Sequence, residues 1–125
     1  MKVELTRFRI APGKAERVDQ WMKELNRRRE EAIDTMEREQ MEIEIIFREE
    51  AGGEEFLYWF SIQGDGGAPV ETSPHDLDKV HMTFWKECID KAYPERDARP
   101  QLVLVRRGIA DALGWKDAGE WIGSK

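Results

Sequence analysis

Apolar and polar residues alternate from Val3 to Ile10, and the run stops at Ala11-Pro12-Gly13. That pattern predicts a strand closed by a breaker. From Lys14 to about Glu39 the period changes: Val18, Trp21, Met22, Leu25, Ala32, Ile33 and Met36 recur three or four apart. This is the spacing of one face of a single long helix. Alternation returns from Met41 to Glu49, where Met41, Ile43, Ile45 and Phe47 interleave with Glu42, Glu44 and Arg48. Ala51-Gly52-Gly53 reads as a turn, so a strand from Glu55 to Gln63 should complete a hairpin. A flexible glycine-rich loop, Gly64 to Pro69, follows.

The second helix has a start signal. Ser73 suits the N-cap, Pro74 the first helical position, and Asp76 completes an S-x-x-D capping box. The helix should end before Tyr93-Pro94, with a last strand from Gln101 to Arg106. The order β-α-β-β-α-β predicts an α+β fold of the ferredoxin-like kind, with a four-stranded antiparallel sheet. The expected domain spans 1–107. Residues 108–125 form an appendage with a short helical stretch and Trp115 and Trp121 as anchors.

Strand parity sorts the sheet into two faces. Met41, Ile43, Ile45, Phe47, Phe56, Tyr58, Phe60, Ile62, Leu102 and Leu104 share the more apolar one, which we assign to the helices. The other carries Glu42, Glu44, Ile46, Leu57, Trp59, Ser61, Val103 and Val105. A bare face that size predicts a second copy packed sheet to sheet, a symmetric homodimer with Trp59 and Glu44 at its interface.

Composition narrows the partners. The 125 residues carry a formal charge of −6, which disfavours nucleic acid. Arg27-Arg28-Arg29 is the densest basic run, and Glu30-Glu31 neutralises it at once, so no basic patch suits an anionic membrane. No apolar run approaches membrane-spanning length. Cys88 is the lone cysteine, which excludes an internal disulfide and a cysteine-rich zinc site. The N-terminus reads as strand and not as a secretory signal. Together these predict a cytoplasmic protein.

The candidate chemistry lies where the pattern breaks. On the second helix Leu77, Val80, Phe84, Trp85, Cys88 and Ile89 form an apolar arc, and His81 falls near its centre. On the first helix Arg29 falls in the same place. Buried, each requires polar partners, and two such departures on facing elements predict a site. We expect a pocket between helices and sheet with His81 as catalytic group and Arg29, Tyr58, Trp85 and Arg7 as binding groups. His75 would stand at the mouth beside the loop, with that loop as lid. A core histidine and an arginine snorkelling to water would give the same pattern without any site.

Other chemistries fit poorly. His75 and His81 are six apart and share no helix face, and no metal or nucleotide motif is present. Cys88 lies two helical turns from His81, about 10 Å along the axis, too far for a Cys–His pair. We therefore expect neither metal nor cofactor.

Three stretches, K-V-E-L-T-R-F-R-I-x-P-G-K, E-F-L-Y-W-F-S-I-Q-G-D-G-G and S-P-H-D-L-D-K-V-H-M-T-F-W-K-E-C-I-D, together resemble an uncharacterised family of small proteins that looks like part of the dimeric α+β barrel group. The resemblance covers about 1–106. It implies a ligand held between sheet and helices, as in cofactor-free monooxygenases, haem-degrading enzymes, mutarotases and small isomerases. Haem-degrading relatives use an Asn on the first strand, a Trp on the sheet and a helical His. Trp59 and His81 match, but the first strand offers Thr6 and Arg7 instead. Mutarotase-like relatives imply a site of the type His81, Tyr58 and Trp85. The expectation is a cofactor-free isomerase or epimerase of a small polar metabolite. The alternative is a binding or assembly module without chemistry.

Overall fold

The computed structural model describes residues 1–115. Its elements are β1 (Lys2–Arg9), α1 (Ala15–Arg27), α2 (Arg29–Glu39), β2 (Met41–Ala51), β3 (Glu54–Gln63), a 3-10 turn (Val70–Thr72), α3 (Asp76–Cys88), β4 (Arg96–Ala98) and α4 (Arg107–Leu113). The strands form one antiparallel sheet in the order β2-β3-β1-β4. This is a mixed α+β architecture. No helix among the described residues is long and apolar enough to cross a membrane.

The single long helix predicted from Lys14 is two helices. Arg28 leaves helical geometry at φ −106° and ψ 34°, and its N–H closes α1 on the Glu24 carbonyl. Charge holds the break: the half-buried Arg28 guanidinium reaches Glu31 at 2.8 Å and Asp76, the first residue of α3, at 3.2 Å. The apolar period runs through the break because both helices lie along the same layer. Periodicity records the face and not the continuity of the axis.

The capping prediction also changes. His75, not Ser73, occupies the N-cap of α3, with no side-chain cap bond. Ser73 is buried, and its Oγ accepts from the His75 N–H at 3.1 Å. The loop after β3 is not free. Gly64 N–H donates to Gln40 O at 2.7 Å, and Ala68 N–H to Arg38 O at 3.0 Å. Gly67 lies so close to the end of α2 that a Cβ there would overlap the Glu39 carbonyl.

The fourth strand is earlier than predicted. Leaving α3, Ile89 bridges Ile10 and Asp90 N–H donates to Arg9 O at 2.9 Å, so the chain returns to β1 at once. Arg96–Ala98 pairs with Leu5–Arg7, and Thr6 Oγ1 donates to Asp97 Oδ1 at 2.6 Å. Pro100, which has no N–H, follows and ends the ladder. Residues 101–106 are therefore outside the sheet, with Leu102 72 % and Leu104 83 % exposed.

The two sheet faces are exchanged relative to the prediction. The core joins Phe8, Leu57 and Trp59 of the sheet to Val18 and Trp21 of α1 and Phe84, Trp85 and Cys88 of α3. Trp21, Leu57, Val18 and Cys88 are fully buried. The helices thus cover the face carrying Glu44, Ile46, Leu57, Trp59 and Ser61. The opposite face, with Phe47 opposite Tyr58 and Ile45 opposite Phe60, looks outward, and Phe47 is 55 % exposed. Counting apolar residues misled here because the covered face does not bury all its side chains in a dry core. Part of it lines a cavity that also holds polar groups. A bulge between Met41 and Ile43 further breaks the parity that put them on one face.

Candidate functional site

The helix layer and the sheet do not close on one another. Between them lies a cavity of about 880 Å³, lined by residues of β1, β2, β3, α1, α2 and α3 together with Ala68, Pro69 and Val70. Its inner wall is aromatic. Trp59, Trp85 and His81 line it and the fully buried Trp21 packs behind them, with the His81 ring 5.5 Å from both Trp21 and Trp59 and 6.4 Å from Trp85. Trp85 packs edge-on to Trp59 at 5.4 Å and to Phe8 at 4.5 Å. Rings held edge to face at these separations form a stiff wall.

His81 is the polar group in that wall. The Trp21 indole Nε1–H donates to His81 Nδ1 at 3.1 Å. An indole N–H is only a donor, so Nδ1 must be the unprotonated nitrogen. Neutral His81 then carries its proton on Nε2, for which no acceptor exists among the described residues. Burial lowers the His81 pKa, with Asp78 partly opposing it. Protonating Nδ1 would also set two donors face to face. The site therefore holds a neutral imidazole that presents an N–H.

The carboxylates come from three elements. Glu44 on β2 accepts from the Trp59 Nε1–H at 2.9 Å through Oε2. It is open to the cavity yet enclosed by protein, and desolvation raises its pKa, with the Trp59 bond opposing and Asp78 adding. Glu39, the last residue of α2, is pushed up to about 7, by burial first and then by Asp78 and Glu44. Asp78 on α3 is only 7 % exposed, and its Oδ2 has no hydrogen-bond partner. All three line the cavity.

Of the residues named from sequence, the structure brings His81, Trp85 and Arg29 to one cavity. Arg29 is not buried on an apolar arc, because the helix break places it at the exposed first position of α2, with no ion pair among the described residues. Tyr58 and Arg7 face the other way. They are cross-strand partners on the outer face, where Tyr58 Oη donates to Glu49 at 2.6 Å and Arg7 donates to Tyr93 Oη at 3.1 Å while lying 5.0 Å over the Phe56 ring. His75 is an exposed N-cap that does not line the cavity. Trp59 and Glu44, assigned from sequence to a dimer interface, line the cavity instead. Sequence reasoning missed Glu39 and Asp78. Both sit at helix ends, where an acidic residue is commonplace, and only the fold shows that they converge. Cys88 is fully buried and burial raises its thiol pKa, away from the thiolate a nucleophile needs. Trp115 is half-buried, and Trp121 lies outside the described residues.

Among the described residues no three His, Cys, Asp or Glu are grouped so as to hold a metal ion. Residues 1–111 match the model of one family, DUF6176, described as a family of unknown function. No curated protein and no solved structure matches the chain.

Proposed function

Because the chain belongs to the DUF6176 family, whose function is unknown, we propose its role from the cavity: it binds a small polar carbonyl metabolite and moves a proton on the carbon beside the carbonyl, as an isomerase or epimerase. The observation that carries this reading is the Trp21–His81 bond. It makes His81 a fixed neutral donor rather than a base. A neutral imidazole N–H aimed at a carbonyl oxygen, with a carboxylate of raised pKa as base, is a recurring solution to enolisation.

In that scheme Glu44 is the base. Glu44 and His81 both flank the Trp59 indole, one bonded to its N–H and the other 5.5 Å from its ring. The C–H bond breaks, its proton passes to Glu44, and the electron pair moves through the new C=C onto the carbonyl oxygen. The His81 Nε2–H stabilises that oxygen as it gains charge. Return of the proton to the opposite face or to the adjoining carbon gives the epimer or isomer, with no change of oxidation state. Arg29, at the exposed start of α2, would hold an anionic substituent.

The test is deuterium exchange in D₂O, followed by proton NMR over a panel of small aldoses, hydroxyketones, aminoketones and keto acids. Wild type should exchange the proton beside the carbonyl of at least one compound, and Glu44→Gln should slow that by about 10²-fold or more. Silence across the panel, or exchange indifferent to Glu44→Gln, refutes the reading.

The outer face supports a second element of the proposal. Phe47, 55 % exposed, stands on the cavity-free side of the sheet. We propose a ferredoxin-like protomer that pairs through this face into a homodimer of the α+β barrel kind. Phe47→Asp should convert a dimer to a folded monomer in light scattering. A monomeric wild type at micromolar concentration ends this part and leaves the site untouched.

A further inference from the structure

We infer that the substrate carries a protonated amine, which binds at the acidic end of the cavity between Asp78, Glu39 and Glu44 and against the Trp59 ring. This rests on the reading of the cavity as a substrate site and names the class of compound it takes.

Two independent observations point to a cation. The first is the unmatched charge. The protein pairs its surface acids freely: Glu87 with Arg17 at 2.9 Å, Glu54 with Arg9 at 2.9 Å, Glu55 with Arg48 at 3.0 Å. None of Glu39, Glu44 and Asp78 has an ion pair among the described residues. Arg38, adjacent to Glu39, spends its guanidinium on Pro69 O, Thr72 O and Thr72 Oγ1. The second is Asp78 Oδ2, an unpartnered oxygen on a carboxylate that is 7 % exposed and lines the cavity. A buried carboxylate oxygen without a donor is costly, and a cation held in the cavity would offset that cost through its charge.

A structural role does not account for Asp78. It sits in the first turn of α3, where negative charge complements the helix dipole, but no side chain caps that helix. A metal ion is the wrong cation, since no three acidic or imidazole groups come together as ligands. An ammonium fits better. It donates N–H groups to one or two of the carboxylates, is attracted to the rest through charge, and gains from an adjacent aromatic face.

Ionisation of Glu39 makes the binding pH-dependent. The groups that bear on it are Asp78 of α3, Glu44 of β2, Glu71 of the 3-10 turn and Arg38 of α2, of which only Arg38 favours its charged form. Binding of a cation should strengthen as pH rises through about 7, where Glu39 ionises.

The experiment uses benzylamine, which stays protonated from pH 6 to 8.5, against its neutral counterpart benzyl alcohol. Affinities are measured by calorimetry on the full chain. Wild type should bind benzylammonium at least about tenfold more tightly, a gap that widens with pH. Asp78→Asn should remove most of that gap while changing benzyl alcohol less than about twofold. Glu39→Gln should abolish its pH dependence, and serves as second variant if Asp78→Asn folds poorly. Equal affinity for the two probes, failure of both to bind, or preference unchanged in both variants overturns the inference. Deuterium exchange on neutral carbonyl compounds that depends on Glu44 would survive that result. Loss of that exchange with the cation preference intact would instead leave an amine-binding site without this chemistry.

Discussion

Replacing Trp21 by Phe tests the central geometric claim. Trp21 is fully buried, and its indole N–H is the only donor to His81 Nδ1 among the described residues. Phe keeps the six-membered ring and most of the packing against Phe84, which stacks at 6.3 Å. The change in volume should cost about 1–2 kcal/mol, well short of the roughly 3–5 kcal/mol of a truncation to Ala. The electronic consequence is more specific. Without the indole N–H, Nδ1 becomes free to take a proton. A neutral hydrogen bond is worth about 1 kcal/mol, and with it gone the His81 pKa should rise toward its ordinary value. The assay is nitrogen-15 NMR of the two imidazoles. Wild-type His81 should show a neutral ring protonated at Nε2 and titrating below 6.5. The pH dependence of stability follows with a definite sign. The folded pKa is lowered, so the neutral imidazole's stabilising contribution is present above the unfolded value near 6.5 and lost as pH falls below it. Trp21→Phe should shrink that loss. An Nδ1-protonated ring in wild type, or a titration that Trp21→Phe leaves unmoved, would refute the tautomer and with it the role given to His81.

Glu39→Gln should flatten a stability change of the opposite sense. The folded pKa of Glu39 is raised from 4.5 to about 7, so wild type should lose stability as pH rises across that interval. Thermal melts at pH 5 and pH 8 should show the variant gaining on wild type at the higher pH only, and an equal shift at both would contradict the burial of its carboxyl. Leu57→Ala, at a fully buried sheet position facing the helices, should cost about 2–5 kcal/mol in urea denaturation. A loss below about 1 kcal/mol would mean that the helices do not cover this face.

The fold was more legible in the sequence than the site, and the reasons differ. Helices and strands follow from local periodicity, which is why β1, the β2–β3 hairpin and α3 are recovered near their observed positions. The fourth strand was misplaced because two segments compete for the edge of β1. Residues 101–106 have the better alternation, but Arg96–Ala98 reaches the edge first, guided by the Ile10–Ile89 bridge. Propensity did not decide between them; chain connectivity did.

The faces of the sheet expose a deeper limit. Alternation states which residues share a side and leaves open which side the helices take. The usual tie-breaker gives the greasier side to the helices, and it assumes that what is covered is dry. Here the covered side carries Thr6, Glu44 and Ser61 around the cavity, while Phe47 faces out. A polar residue on a strand thus has two opposite meanings, solvent or site, and parity cannot separate them. His81 was legible because a helix facing a core has no solvent side to explain a histidine. Glu44 was not, because a glutamate on a strand reads as surface until the fold is seen. Their meeting across the Trp59 ring, with Glu44 on its N–H and His81 at 5.5 Å, is a tertiary fact. The chemistry proposed for this cavity depends on that pairing more than on either residue alone.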